Sequence, residues 1–204
     1  IVSLGKPIIL STGMNDLRSV KSTVSIINNK VPFALLHTTN LYPTPPNLVR
    51  LGAMEELAKE FKKIPFGLSD HTTNSLSSLG AIAKGATIIE RHYTDKKSRK
   101  GPDIICSMDQ REAQFLLKDS LELFKMLGGE KKPAKEEEIT INFAFSSVVT
   151  IKNIKKGDVF SRENIWVKRP GNGEIPASKF ENIIGKTAKN NIPKDTQLKQ
   201  NDFK

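Results

Sequence analysis

The sequence is poor in several residue types, and each scarcity excludes something. One cysteine, Cys106, stands in 204 residues. No disulfide framework is available, and a reducing, cytoplasmic setting is expected. No run of about 18 apolar residues occurs, so no membrane-spanning helix is predicted and no membrane partner is expected. No secretory signal is read. Aromatics are few, with one Trp and two Tyr. The lysines are dispersed, so no basic stripe interleaved with aromatics forms. The net charge of +10 is read as a solvated basic surface, and no nucleic acid is expected. No G-x-G-x-x-G follows an apolar run, which disfavours a dinucleotide-binding oxidoreductase. Histidine is scarce too, at three residues. All three stand where an apolar run gives way to polar residues, in "FALLHTTN" (33–40), "GLSDHTT" (67–73) and "ATIIERHYT" (86–94).

What is present organises itself around those runs. Hydrophobic content of 37% and charged content of 26% suit a globular protein. The chain starts at Ile1 and enters a Gly-Lys-Pro turn and then a strand, the expected texture of the later part of a longer protein. Four strand-then-helix units follow. Strands are predicted over 6–14, 31–39, 64–70 and 86–94. The helices between them carry Leu17, Val20, Val24 and Ile27, then Leu51, Met54, Leu57, Ala58 and Phe61, then Leu76, Leu79, Ala81 and Ile82, at helical spacing. Asn15 or Asp16 caps the first helix. A longer helix opens on an Asp109–Glu112 capping box, carries Phe115, Leu116, Leu123 and Met126–Leu127 as its apolar stripe, and stops at Gly128–Gly129. Near-continuously apolar strands alternating with helices imply a parallel sheet covered by helices, an α/β fold. A doubly wound sheet and half of a TIM barrel both fit, and in either the ligand site lies at the carboxyl ends of the strands.

Residues 128–140 are charged, contain proline, show no apolar period and read as a linker. Beyond them the runs are short and β-like. "IKKGDVFSRENI" (154–165) and "IPKDTQLKQNDF" (192–203) repeat one pattern. Two copies imply a small β-rich domain with pseudo-two-fold symmetry rather than a solenoid.

His71 and His92 end consecutive strands, so a parallel sheet makes them neighbours. Two imidazoles there can share a divalent cation; equally, each can cap its strand by bonding to backbone. His37, one strand earlier, is read as a supporting or purely structural residue. Ser11–Thr12–Gly13, Thr38–Thr39–Asn40 and Ser69 place small donors at three successive strand ends, which suits an anion such as phosphate. The carboxylates Asp70 and Asp103 stand near the same rim, where either can orient a sugar hydroxyl or a metal-bound histidine. In "WVKRPGNGE" (166–174), Arg169 is either a solvated charge or a hydrogen-bonding fork reaching into an active site.

The stretches "KPIILSTGM", "LLHTTNLYPTP", "GLSDHT", "GATIIERHYTD", "GPDIICSM", "FAFSSVV" and "WVKRPGNGE" together resemble the sialic acid synthase family, the N-acetylneuraminate synthases with the related legionaminic and pseudaminic acid synthases. The bacterial N-acetylneuraminate synthases are especially similar in "RHYTD" and "GPDIICSM". The resemblance implies a TIM barrel joined to an antifreeze-like SAF domain. Residues 1–127 would be barrel strands five to eight with their helices, 128–140 the linker and 141–204 the SAF domain. It also implies condensation of phosphoenolpyruvate with N-acetylmannosamine and water, giving N-acetylneuraminate and phosphate, or the same reaction on a diacetamido sugar. On this reading His71 and His92 hold Mn²⁺ or Mg²⁺, and His71, His92 and Asp103 form the catalytic group. Ser11, Asn40 and Ser69 hold phosphoenolpyruvate, while Tyr42 and Asp103 position the sugar. Arg169 reaches the partner subunit's site in a homodimer, and Phe143 lines the same pocket. Many bacterial members read His-Cys-Thr where this chain has His37–Thr38–Thr39. A further implication is that the first four strands, with a proton-handling glutamate and anion-binding lysines, lie outside these 204 residues, so the chain alone is expected to be inactive.

Overall fold

The computed structural model describes residues 1–204 and divides into two compact units, Ile1–Gly129 and Glu130–Lys204. In the first, β1 (Ile8–Ser11), α1 (Leu17–Ile27), β2 (Phe33–Thr38), α2 (Leu51–Glu60), β3 (Phe66–Asp70), α3 (Leu76–Ala83), β4 (Ile88–Arg91) and α4 (Gln110–Met126) follow one another. The strands form one parallel sheet in chain order. All four expected strand–helix units are present. The strands are shorter than their apolar runs, and the polar residues at each run's end belong to rim loops.

Local chemistry starts the helices. The Asp16 side chain accepts from the Ser19 amide at 2.8 Å and opens α1. Asp109 and Glu112 each accept from the other's amide at 2.9 Å, the expected capping box of α4; such a cap contributes about 1 kcal/mol.

Alternation along the strands sorts the rest. Ile8, Leu10, Phe33, Leu35, Leu68 and Ile89 pack with residues of α1, α2 and α3, so they mark the helix-covered face. The intervening residues, Ile9 and Ser11, Ala34, Leu36 and Thr38, Gly67 and Ser69, Ile88 and Glu90, belong to the opposite face. No helix of this unit covers that face, and Ile9 on it is 63% exposed. Strands β1 and β4 are the sheet's edges. Close strand approach requires glycine at position 67, where a Cβ would lie 1.8 Å from the Ile88 carbonyl oxygen.

The stripe expected on α4 is not core here. Only Leu116 is buried, while Phe115, Met126 and Leu127 are exposed and Leu123 is half-buried. Helical periodicity locates an apolar face but not the surface that covers it.

In the second unit, α5 (Glu138–Ala144) precedes an antiparallel pair, β5 (Ser147–Thr150) and β6 (Ile165–Lys168). A 3₁₀ turn at Lys135–Glu137 and the start of α5 thus fall inside the segment read as linker. Their order has a local cause. The Glu137 carboxylate accepts from the Ala134 amide at 2.7 Å, and acidic residues favour a helix N-terminus. The repeat is visible in three dimensions. Ile154 and Ile192 exchange backbone hydrogen bonds of 2.8 and 2.9 Å. Equivalent positions Phe160 and Leu198, and Ile165 and Phe203, are all buried in one core. Each copy closes with the same bond, from the Ser161 amide to Asn164 and from the Lys199 amide to Asp202, both 2.8 Å.

Candidate active site

The carboxyl ends of β3 and β4 bring His71 and His92 together. Their ring centres are 5.1 Å apart at 75°. Tyr42 packs against both, at 4.1 Å from His71 and 5.6 Å from His92. The buried His71 ring faces the Thr39 carbonyl with Nδ1 at 3.0 Å. A nitrogen facing a carbonyl must carry a proton, so in the neutral ring the lone pair sits on Nε2. Two imidazoles bound to one cation at about 2.1 Å, subtending about 90–110°, have ring centres roughly 4.5–5.2 Å apart. The observed ring spacing of 5.1 Å falls within that range.

Asp103 lies against the same pair. It adopts left-handed backbone at φ 67°, and its Oδ2 is 3.8 Å from His92 Nδ1, too long for a hydrogen bond. Donor atoms of His92, Asp103 and Cys106 all fall within 4.8 Å of one another. Cys106 is the weakest ligand of these, because burial and then the Asp103 charge push its thiol pKa up. The thiol also donates to the Asp103 carbonyl at 3.1 Å. His71 and His92 are therefore the better neutral donor pair.

Ser69, on the uncovered face just before His71, is buried; Ser11 and Asn40 are exposed at neighbouring strand ends. Asn40 Oδ1 would be 3.2 Å from a Cβ on Gly13, whose φ is +50°, so glycine there lets the ends of β1 and β2 close together. Thr12 is buried and donates to the Leu36 carbonyl, which makes it structural.

One rim reading narrows and one changes. His37 lies on the helix-covered face, one strand position out of phase with the uncovered one. Its Nε2 is 2.8 Å from the Val49 carbonyl, and burial holds its pKa below the usual histidine range against that bond's opposing effect. It is a neutral structural residue. Asp70 cannot orient a sugar. Its side chain is 1% exposed, and Oδ2 accepts from the Ser77 and Ser78 hydroxyls of α3 at 2.6 Å each. Glu90 was passed over. It pairs in register with Ser69, is exposed, and by alternation shares the uncovered face with the site residues. Its position two residues before His92 was the available signal.

In the second unit, Arg169 and Phe143 are brought together, the guanidinium carbon 6.0 Å from the ring centre. The loop after Arg169 is braced. Ser147 donates to the Pro170 carbonyl and accepts from the Gly173 amide, both at 2.9 Å. Gly171 is required because a Cβ there would be 2.6 Å from Phe145 Cβ.

The family model described as "NeuB family" matches residues 1–132, and that described as "SAF domain" matches residues 145–204. The chain belongs to the NeuB family. It is 39% identical over 205 residues to the N,N'-diacetyllegionaminic acid synthase of Campylobacter jejuni, covering 98% of this chain and 61% of that protein. It is 30% identical to the human N-acetylneuraminate-9-phosphate synthase, covering 95% of this chain and 55% of the relative. Among solved structures, a sialic acid synthetase of Leptospira borgpetersenii, in complex with citrate, superposes with a TM-score of 0.63 at 33% identity, over 69% of this chain and 50% of that one. The parallel sheet with its helices is accordingly a curled half-barrel, followed by a SAF domain. The chain spans about three fifths of the length of the curated relatives it matches. No helix is long and apolar enough to cross a membrane.

Proposed function

We propose that this chain is the phosphoenolpyruvate- and sugar-binding C-terminal part of a nonulosonic acid synthase, which joins phosphoenolpyruvate to an N-acetylated amino sugar with water and releases phosphate. The single observation carrying this is the close pair His71 and His92, with Tyr42 against both rings, at the carboxyl ends of adjacent parallel strands. A divalent cation, Mn²⁺ or Mg²⁺, held by the two imidazoles would supply Lewis acidity toward the sugar's aldehyde oxygen. The Thr39 carbonyl holds the His71 ring in one tautomer and one orientation. Asp103, beside His92, orients the sugar's hydroxyls, and Tyr42 forms one wall of the sugar subsite. Ser11, Asn40 and Ser69 donate to phosphoenolpyruvate; their neutrality requires that cationic groups elsewhere in the full protein balance its charge. Arg169, with Phe143 beneath it, recognises the N-acetyl group in a homodimer whose SAF domain serves the partner's site.

N-acetylmannosamine is the sugar that the sequence motifs support. The 39% identity to a diacetyllegionaminic acid synthase supports a second reading, a 2,4-diacetamido sugar. Turnover of the two sugars by the full-length protein, with and without divalent cation and in His71→Ala, tests both. The expected result is metal-dependent keto-acid formation that His71→Ala lowers by at least about 100-fold. Wild-type turnover by His71→Ala contradicts the reading, and the preferred sugar decides between its two forms.

A further inference from the structure

Immediately before the two histidines stand two charged residues, Asp70 and Arg91, paired in register across β3 and β4. Their side chains are 1% and 3% exposed, with Arg91 Nη1 3.5 Å from Asp70 Oδ2. Alternation sends them to the helix-covered face and the histidines to the other. Arg91 spans the β3–α3 loop from below. Its Nη2 donates to the Thr72 carbonyl at 2.8 Å and its Nη1 to the Asn74 carbonyl at 2.6 Å. Asp70 in turn accepts from the Thr72 amide at 2.9 Å and from two α3 hydroxyls. The residue preceding His92 thus grips the chain on both sides of His71, through the side chain before it and the carbonyl after it. Arg91 Nε is the one buried side-chain nitrogen or oxygen without a partner. An orphaned donor lowers stability, so packing alone does not favour this arrangement.

We infer that the buried Asp70–Arg91 pair is a positioning device that sets the separation and orientation of His71 and His92 and thereby the affinity for the divalent cation. This rests on the cation reading above; what it adds is the part of the protein that tunes the site.

The test uses the full-length protein with Arg91→Met, Arg91→Lys, Ser78→Ala and, as a control for lost stability, Val24→Ala on α1. Two readouts are taken below every variant's melting temperature: Mn²⁺ affinity by electron paramagnetic resonance, and the imidazole ¹⁵N signals of metal-free protein. Arg91→Met is expected to weaken Mn²⁺ binding roughly 10–100-fold, as loss of a partner behind a metal ligand does, and to turn His71 from one tautomer into a mixture. Arg91→Lys restores part of both, and Val24→Ala changes neither. An Arg91→Met protein that is less stable yet keeps wild-type Mn²⁺ affinity and a single His71 tautomer overturns the inference. Should Arg91→Met not fold, Arg91→Lys and Ser78→Ala carry the same readouts, with smaller shifts expected in both and wild-type values in both overturning the inference. If the wild type binds no Mn²⁺, the cation reading fails and the role assigned to the pair in cation affinity fails with it; the ¹⁵N signals then report separately whether Arg91 orients His71.

Discussion

The two units solve the problem of burial differently. The second, in 75 residues, gathers eleven buried apolar residues into one core closed by the intertwined repeat. The first is longer, at 129 residues, yet holds two separate clusters of seven and four buried apolar residues, both on the helix side of the sheet. No helix of the unit covers its other face, where Ile9 on the edge strand β1 is exposed although Leu36 and Ser69 on the central strands are buried. A unit that builds its site on an uncovered sheet face depends on what completes that face; a unit with a single closed core does not.

That contrast can be broken most directly by separating the units. Residues 130–204 expressed alone are expected to unfold cooperatively in urea, whereas residues 1–129 alone bind a hydrophobic dye and aggregate. A cooperative transition from the first piece, with no dye binding, would remove the distinction. A sharper version compares one residue type in the two places. Phe160→Ala, in the closed core with its side chain fully buried, should cost about 3–5 kcal/mol of unfolding free energy. Phe124→Ala, on α4 and 73% exposed, should change it by less than about 0.5 kcal/mol. Equal costs in chemical denaturation would mean that α4's outer face is covered in solution.

A smaller effect separates the units by pH. Only the first contains histidine, and burial lowers the pKa of His37. The unfolded chain therefore binds the proton more readily than the folded one between pH about 6.5 and the lowered folded value. His37's contribution is fully present above pH about 6.5 and is lost as pH falls below it, by at most about 1.4 kcal/mol per pH unit. Urea midpoints at pH 7.5 and 5.5 should show the loss in the first unit's transition, and His37→Gln should reduce it.

Much of this was legible in the sequence, for identifiable reasons. Apolar runs and helical spacing located all four strand–helix units, because buried parallel strands leave an unmistakable apolar signature. The repeat was legible because equivalent residues such as Ile154 and Ile192 fill equivalent core positions. The rim was legible only as a set. His37, His71 and His92 look alike as residues ending apolar runs, and strand phase alone separates the first from the others. Phase was available in principle, but a one-residue uncertainty in a strand's end reverses it, so the sequence did not show that Asp70 turns away from the sugar side toward α3 or that Glu90 shares the histidines' face. The exposure of α4's stripe was not legible, because periodicity carries no information about what lies opposite.

The central claim is that His71 and His92 jointly hold one divalent cation on the uncovered face of the half-barrel. Mn²⁺ titration of the full-length protein and of the His71→Ala and His92→Ala variants, followed by electron paramagnetic resonance, tests it most directly. One Mn²⁺ per chain in the wild type, lost in either single variant, is the predicted result. Undiminished Mn²⁺ binding in either variant would contradict it.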